Sequence, residues 1–184
     1  MDVKFINSVK SIPQTEWSSV VNTNYPFLKY AFFLALEESG CLNPETGWNP
    51  FYLMLYEKDS LIGFMPMFLK TNSSGEFIFD WSWADAYSRT GLHYYPKLVC
   101  SIPFTPASGP RLCLKESVDR EEALEYIFQE IQVLSGKAEL SSFHILYPEK
   151  SEHLDFQNAG FSKRTSNSFH WFNKNYNSFD NFLN

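Results

Sequence analysis

Residues 94–114 read YYPKLVCSIPFTPASGPRLCL, and the fold turns on how this stretch is taken. Lys97 and Arg111 are its only charged side chains. Leu98–Ile102 is a short apolar run with a β-branched pair, bounded by Pro96 and Pro103, which predicts a buried strand. Pro103, Pro106 and Pro110 each remove a backbone donor and fix φ, so the chain beyond Ile102 can be neither helix nor interior strand. Gly109 adds conformational freedom there. Such a loop, uncharged between one Lys and one Arg, suits the wall of an anion-binding site. It equally suits a structural crossover packed under a helix.

Downstream of this stretch lies the clearest helix signal. Asp119 as N-cap and Glu122 three residues later form a capping box, Leu124, Ile127, Phe128, Ile131 and Leu134 form the apolar stripe, and Gly136 is the expected stop. Ser142–Tyr147 reads as a buried strand, 150–158 as a short helix and Lys163–Asn173 as a last strand. Upstream, period-two alternation over Tyr52–Tyr56 and Leu61–Leu69 around the turn 57–60 predicts a hairpin, with Pro66 at an edge or bulge. Glu76–Asp80 reads as a short strand and 81–91 as a short helix. Near the start, Val3–Val9 predicts a strand, Ser11 caps a helix carrying Trp17, Val20 and Val21 inward, and Pro26 opens a second helix closed by Gly40. The order predicts an α/β (α+β) domain: a mixed, mostly antiparallel sheet with helices on both faces.

Composition narrows the function. One domain is the expectation for 184 residues, and 18% aromatic content means a ring-heavy core or rings facing a groove. A net charge of −6 without any basic run argues against a nucleic-acid surface in this chain. Cys41, Cys100 and Cys113 have no metal-binding spacing and read as free thiols in a reducing compartment. There is no signal-peptide core and no membrane-spanning run, so a cytoplasmic location is expected. Residues 1–173 read as the domain. Residues 174–184 begin an amphipathic turn (Phe179, Phe182, Leu183) that stops abruptly, as though leading into a further segment.

The blocks 35–41 (ALEESGC), 46–48 (TGW), 75–80 (GEFIFD), 94–98 (YYPKL) and 103–112 (PFTPASGPRL) resemble a bacterial family of N-acyltransferases, labelled peptidoglycan biosynthesis or recognition proteins and similar to the Fem-type aminoacyltransferases. The element order is likewise similar to the GNAT acyltransferase fold. The resemblance implies acyl transfer to an amine of a small molecule or peptidoglycan precursor. The donor it implies is acetyl-CoA, another acyl-CoA or an aminoacyl-tRNA. It also implies that this chain is the first of two GNAT-like halves.

Such chemistry needs a base, oxyanion donors and an acid for the leaving group. Glu76 and Asp80, four apart on one strand face, are base candidates, though carboxylates at strand ends are often simply solvated. Tyr95, with Tyr94 and His93, is the acid candidate. His144, inside an apolar strand, reads as a core or surface histidine. Lys97 and Arg111 are the candidates for binding a phosphate or carboxylate, against a plain surface ion pair. Thr105 and Trp83 are further binding candidates, and no metal site is expected. The GNAT pyrophosphate turn is Gly-rich, whereas residues 114–120 (LKESVDR) hold no glycine and two carboxylates, which disfavours coenzyme A and a free-standing acetyl-CoA enzyme. An alternative is a non-catalytic binding module of degenerate GNAT fold, stacking Trp48, Trp81, Trp83 and Tyr87 on a peptide or cell-wall sugar.

Overall fold

The computed structural model describes residues 1–78, 80–165, 167 and 169–183. Strand β1 (Asp2–Ile6) leads through a 3-10 turn (Val9–Ser11) to helix α1 (Gln14–Val20), and a second such turn (Pro26–Leu28) precedes α2 (Tyr30–Glu38). Strands β2 (Trp48–Pro50), β3 (Tyr52–Glu57), β4 (Ser60–Met65) and β5 (Met67–Lys70) follow, then α3 (Trp81–Arg89), β6 (Lys97–Cys100) and β7 (Cys113–Leu114). Helix α4 (Arg120–Lys137), β8 (Phe143–Ile145), α5 (Glu152–Asn158) and α6 (Phe179–Leu183) complete the order.

The strands form two four-stranded sheets, β1-β3-β4-β7 and β2-β5-β6-β8. All pairs are antiparallel except β6 with β8. Physically the sheets are one ladder bent at two prolines. Residues 48–57 run against 60–70 throughout, and Phe51 N–H donates to Met67 C=O (3.0 Å) across the bend. Pro66 therefore marks neither an edge nor a bulge: lacking an N–H, it interrupts the return strand where the chain passes from one sheet to the other. Its carbonyl is still used, accepting from Ser101 N–H (3.1 Å).

Along β3, alternate side chains enter opposite cores. Tyr52 and Met54 pack with Trp17, Leu28, Phe33, Phe64 and Phe68 beneath α1 and α2. Leu53 and Leu55 pack with Leu98, Leu124, Ile127, Phe128 and Ile131 beneath α4. Helices on both faces bury both sides of the strand, which is why its sequence is continuously apolar.

The local signals hold unevenly. Asp119 caps α4 by accepting from Glu122 N–H (2.9 Å), and Gly40, at φ 72°, closes α2 as its left-handed residue. Helix α4 runs through Gly136, and Glu139 (φ 51°) takes the left-handed turn instead. Ser11 caps nothing: α1 starts after Pro13, and Ser8 caps the 3-10 turn before it. Two expected strands are absent among the described residues. The described residues of 163–173 are irregular, with 166 and 168 lying outside the described residues, and 76–78 are bends with Phe77 at φ 58°, Phe79 lying outside them too. A left-handed residue two positions after the Gly75 turn cannot continue a pleat.

The Pro-rich stretch leaves β6 and returns as β7, whose partners are β5 and β4 respectively, so residues 101–112 loop out from a single side of the bent strand. The loop is tied down at Gly109, which bridges to Pro148 and donates to Tyr147 C=O (3.2 Å). No helix among the described residues is long and apolar enough to cross a membrane.

Candidate active site around Lys97 and Asp80

Lys97 is the first residue of β6, and it points inward because Leu98 and Cys100 already occupy the α4 core. Its side chain is fully buried. The turn 72–78 folds back over it and delivers Ser73 and Glu76. Gly75 is required here, because a Cβ would lie 2.6 Å from the Phe104 ring and the backbone sits at φ 75°. Asp80 ends the turn as the residue before α3, its carbonyl accepting from Trp83 and Ala84 N–H (2.9 and 3.2 Å). Glu76 and Asp80 thus converge by a turn rather than along a strand, and neither is solvated, at 3% and 2% exposed.

The ammonium of Lys97 uses its donors on Asp80 Oδ2 (2.5 Å), Glu76 Oε2 (2.9 Å) and Ser73 Oγ (3.2 Å). Two hydroxyls close on the same carboxylate. Tyr94 donates to Asp80 Oδ2 (2.5 Å), and Ser73 Oγ donates to Asp80 Oδ1. Because the Ser73 proton is committed to Asp80, Ser73 must accept from Tyr95 OH at 2.7 Å. The protons of Tyr95, Ser73 and Tyr94 therefore all run toward Asp80. Glu76 Oε1 is buried without a partner.

Burial pushes the Asp80 carboxyl up, but hydrogen bonds from Lys97, Ser73 and Tyr94 outweigh it and hold the group below the usual carboxylate range. Glu76 goes the other way, burial raising it against the charge of Lys97. Tyr94 is raised by burial and by Asp80. Lys70, fully buried with its ammonium 3.8 Å from the Trp48 ring centre, has only Ser74 C=O (3.1 Å) as a hydrogen-bond partner among the described residues. Burial lowers it to about 7, with Lys97 acting in the same sense and Glu76 and Asp80 opposing. His144 lies at the far side of Tyr94, its Nε2 2.8 Å from Ser142 Oγ and 3.4 Å from Tyr94 OH.

Other sequence candidates land elsewhere. Arg111 is a brace, not a ligand contact. Fully buried, it donates to the carbonyls of Leu146, Gly109, Pro110 and Ala107, while its own N–H meets the Glu152 carboxylate. Lys97, inside its carboxylate cage, likewise faces no solvent, so neither residue is a surface ion pair nor an open anion site. Thr105 is half-buried and spends its hydroxyl on Pro103 C=O (3.0 Å). The four rings suggested for sugar stacking do not share a face. Trp48 is buried, Tyr87 packs edge-on to Tyr94, and Trp81 and Trp83, exposed on α3, project about 200° apart around the helix. Trp83 does lie beside the site, with the Arg164 guanidinium 5.6 Å from its ring centre. Tyr94, grouped with Tyr95 as an acid candidate, is instead a donor to Asp80, and Ser73 and Lys70 carry no sequence signal of their own.

Tyr94 and Tyr95 also line an open groove of about 440 Å³ with Ala84, Ser88, Gly91, Leu92 and His93. Among the described residues, no His, Cys, Asp and Glu group is arranged to hold a metal. The turn that the GNAT resemblance assigns to coenzyme A does not fit a pyrophosphate. Asp119 occupies the α4 N-terminus by bonding Glu122 N–H, Glu121 and Glu122 fill the first turn, and Arg120 is spent on Asp155 and Glu152.

Comparison with known proteins agrees with this fold. An aminoglycoside 6′-N-acetyltransferase from Acinetobacter haemolyticus aligns with a TM-score of 0.54 at 12% identity, covering 94% of this chain and 99% of that one. A ribosomal-protein-alanine N-acetyltransferase from Brucella melitensis aligns at 0.52 and 11% identity, covering 93% and 100%. A GNAT family acetyltransferase from Staphylococcus aureus aligns at 0.50 and 8% identity, covering 93% and 98%. At these identities the likeness establishes the GNAT fold alone. No curated protein matches the chain. The FemAB-like family model, described as peptidoglycan biosynthesis/recognition, matches residues 8–184. With that match spanning nearly its whole length, the chain belongs to the FemAB-like peptidoglycan biosynthesis/recognition family.

Proposed function

We propose that this chain is an N-acyltransferase domain acting on an amine of a peptidoglycan precursor, with Tyr95 as its proton-handling residue. The observation that carries this reading is the hydroxyl relay ending on Asp80. Tyr95 lines the groove, and its own proton is committed to Ser73, so its oxygen is an acceptor toward an entering N–H. As the amine forms its C–N bond to an acyl carbon, the amine proton passes to Tyr95. The Tyr95 proton passes to Ser73 and that of Ser73 to Asp80, and as the acyl–oxygen bond breaks the proton returns along the same relay to the leaving oxygen, which restores the Asp80 carboxylate and gives the free alcohol. Lys97 keeps Asp80 ionised, so the relay starts with an empty terminus. An aminoacyl ester, as on an aminoacyl-tRNA, is the favoured donor because the α4 N-terminus opposes a pyrophosphate. A reducing, cytoplasmic setting suits the three free thiols.

The test combines purified chain, a wall tripeptide with a free lysine amine, and either aminoacyl-tRNA or acetyl-CoA, with peptide mass as the readout. Transfer is expected from the aminoacyl ester, falling about 10²–10⁴-fold in Tyr95→Phe. The acidic, self-capped α4 N-terminus also favours a second reading, a non-catalytic module that recognises a peptide or wall sugar. Thermal stabilisation by the wall fragment, about 2.7 kcal/mol at a hundred times its Kd, without transfer from either donor would establish that module instead.

A further inference from the structure

Among the described residues His144 is the one imidazole hydrogen-bonded to the Tyr94–Asp80 network, and the surrounding hydrogen bonds decide its tautomer. Ser141 Oγ gives its proton to Tyr94 C=O (2.5 Å), so at its 3.2 Å contact with Ser142 Oγ it can only accept. Ser142 then donates to Ser141 and accepts from His144 Nε2 at 2.8 Å. Tyr94 has given its proton to Asp80, so its oxygen too can only accept from Nε2 at 3.4 Å. The opposite tautomer sets lone pair against lone pair at both of the longer contacts. Nε2 therefore carries the hydrogen, and Nδ1 carries a lone pair. Among the described residues nothing bonds Nδ1, and it is not sealed from solvent.

We propose that His144 Nδ1 is the acceptor that recognises and orients the substrate amine, on the side of Tyr94 that Arg164 shares. This rests on the acyltransferase reading and names the group that reads its acceptor. The charges facing the ring decide between orienting and titrating. Burial, then Lys97 on β6 and Arg164 from the segment after α5, disfavour the imidazolium and lower the group to about 4, with Asp80 opposing. The ring therefore stays neutral at pH 7. The same two cations disfavour an ammonium beside it, so the bound amine is biased toward the neutral, nucleophilic form. His144 holds that amine through N–H···Nδ1, and the hydroxyl relay carries the proton away. The Arg164 guanidinium in turn lies 5.6 Å from the Trp83 ring centre.

The experiment uses the full chain labelled with ¹⁵N-histidine, with the His144 signals assigned through His144→Asn. Long-range ¹H–¹⁵N spectra at pH 7 are expected to show the neutral Nε2–H form. The probe is N-acetyl-Ala-γ-Glu-Lys, whose only amine is the lysine side chain, and the control is the same peptide acetylated at that amine. The free amine is expected to move the Nδ1 resonance, and the acetylated peptide to leave it in place. An Nδ1–H tautomer, an imidazolium at pH 7, equal shifts with both peptides, or no shift with either overturns the proposal. His144→Asn places an amide oxygen near the Nδ1 position and should keep peptide affinity within a few-fold, whereas His144→Gln should lose about tenfold. Should Nδ1 answer the amine while the wild-type chain transfers nothing, the acyltransferase reading falls and the amine site stands. Transfer with a silent Nδ1 sinks this proposal alone.

Discussion

Lys97 and Asp80 stand 17 residues apart and meet as a buried pair, Nζ to Oδ2 at 2.5 Å. Removing one member of such a pair strands the other without compensation. Lys97→Met fits the space but leaves two carboxylates, Asp80 and Glu76, facing each other without a cation. It is expected to cost about 3–5 kcal/mol in denaturant unfolding at pH 7. A loss below about 1 kcal/mol would mean that the cage is wet and the pair ordinary.

Arg111 makes a different prediction because its partners are carbonyls. Arg111→Met leaves the Leu146, Gly109, Pro110 and Ala107 carbonyls without their shared donor, at a cost of about 3 kcal/mol or more. Arg111→Lys should recover little of this, since a single ammonium cannot span the positions that a planar fork reaches. Full recovery by Lys would show that charge, not geometry, is what the site needs.

Lys70 separates the two buried lysines. Its folded-state pKa lies below its unfolded value, so the unfolded chain binds more protons between about pH 7 and the usual lysine pKa near 10.4. Stability should therefore rise with pH across that window, by at most about 1.4 kcal/mol per pH unit. Measurements from pH 7 to about 9.5 avoid the tyrosines. Lys70→Met should flatten the slope and be neutral or stabilising at pH 7, the reverse of Lys97→Met. A slope unchanged in Lys70→Met would assign it to another group.

The contrast between these lysines was invisible in the sequence, and the reason is physical. Signals that act within a few residues were legible: the Asp119 cap, the Gly40 stop, the two apolar runs of β3 and β4 around the turn at 57–60, and the burial of Leu98–Cys100. From these the mixed sheet with helices on both faces could be read. Glu76, Asp80, Tyr95 and Lys97 each stand out in the sequence, yet as a strand-face pair, an acid and an anion contact. Their union depends on a turn with Phe77 in the left-handed region, which the alternating letters of 76–80 conceal. His144 reads from sequence as a core or surface histidine because its partners, Ser142 aside, lie far off in the chain, with Tyr94 50 residues away. Arg111 looked like a ligand contact because no local pattern reveals that its donors end on loop carbonyls.

The strap that carries Arg111 has its own test at Gly109. A Cβ built there would lie 2.3 Å from Tyr25 Cζ, and the Tyr25 hydroxyl donates to Ala107 C=O at 3.1 Å. The ring thus clamps the loop from one side while Tyr147 C=O holds Gly109 N–H from the other. Gly109→Ala must displace an anchored ring and is expected to cost about 1–3 kcal/mol. With the ring deleted in Tyr25→Ala, the same substitution should cost less than about 0.5 kcal/mol, leaving a coupling energy of most of the single-mutant loss. Additive effects would show that the loop is held by its backbone bonds and Arg111 alone, with Tyr25 merely lying against it.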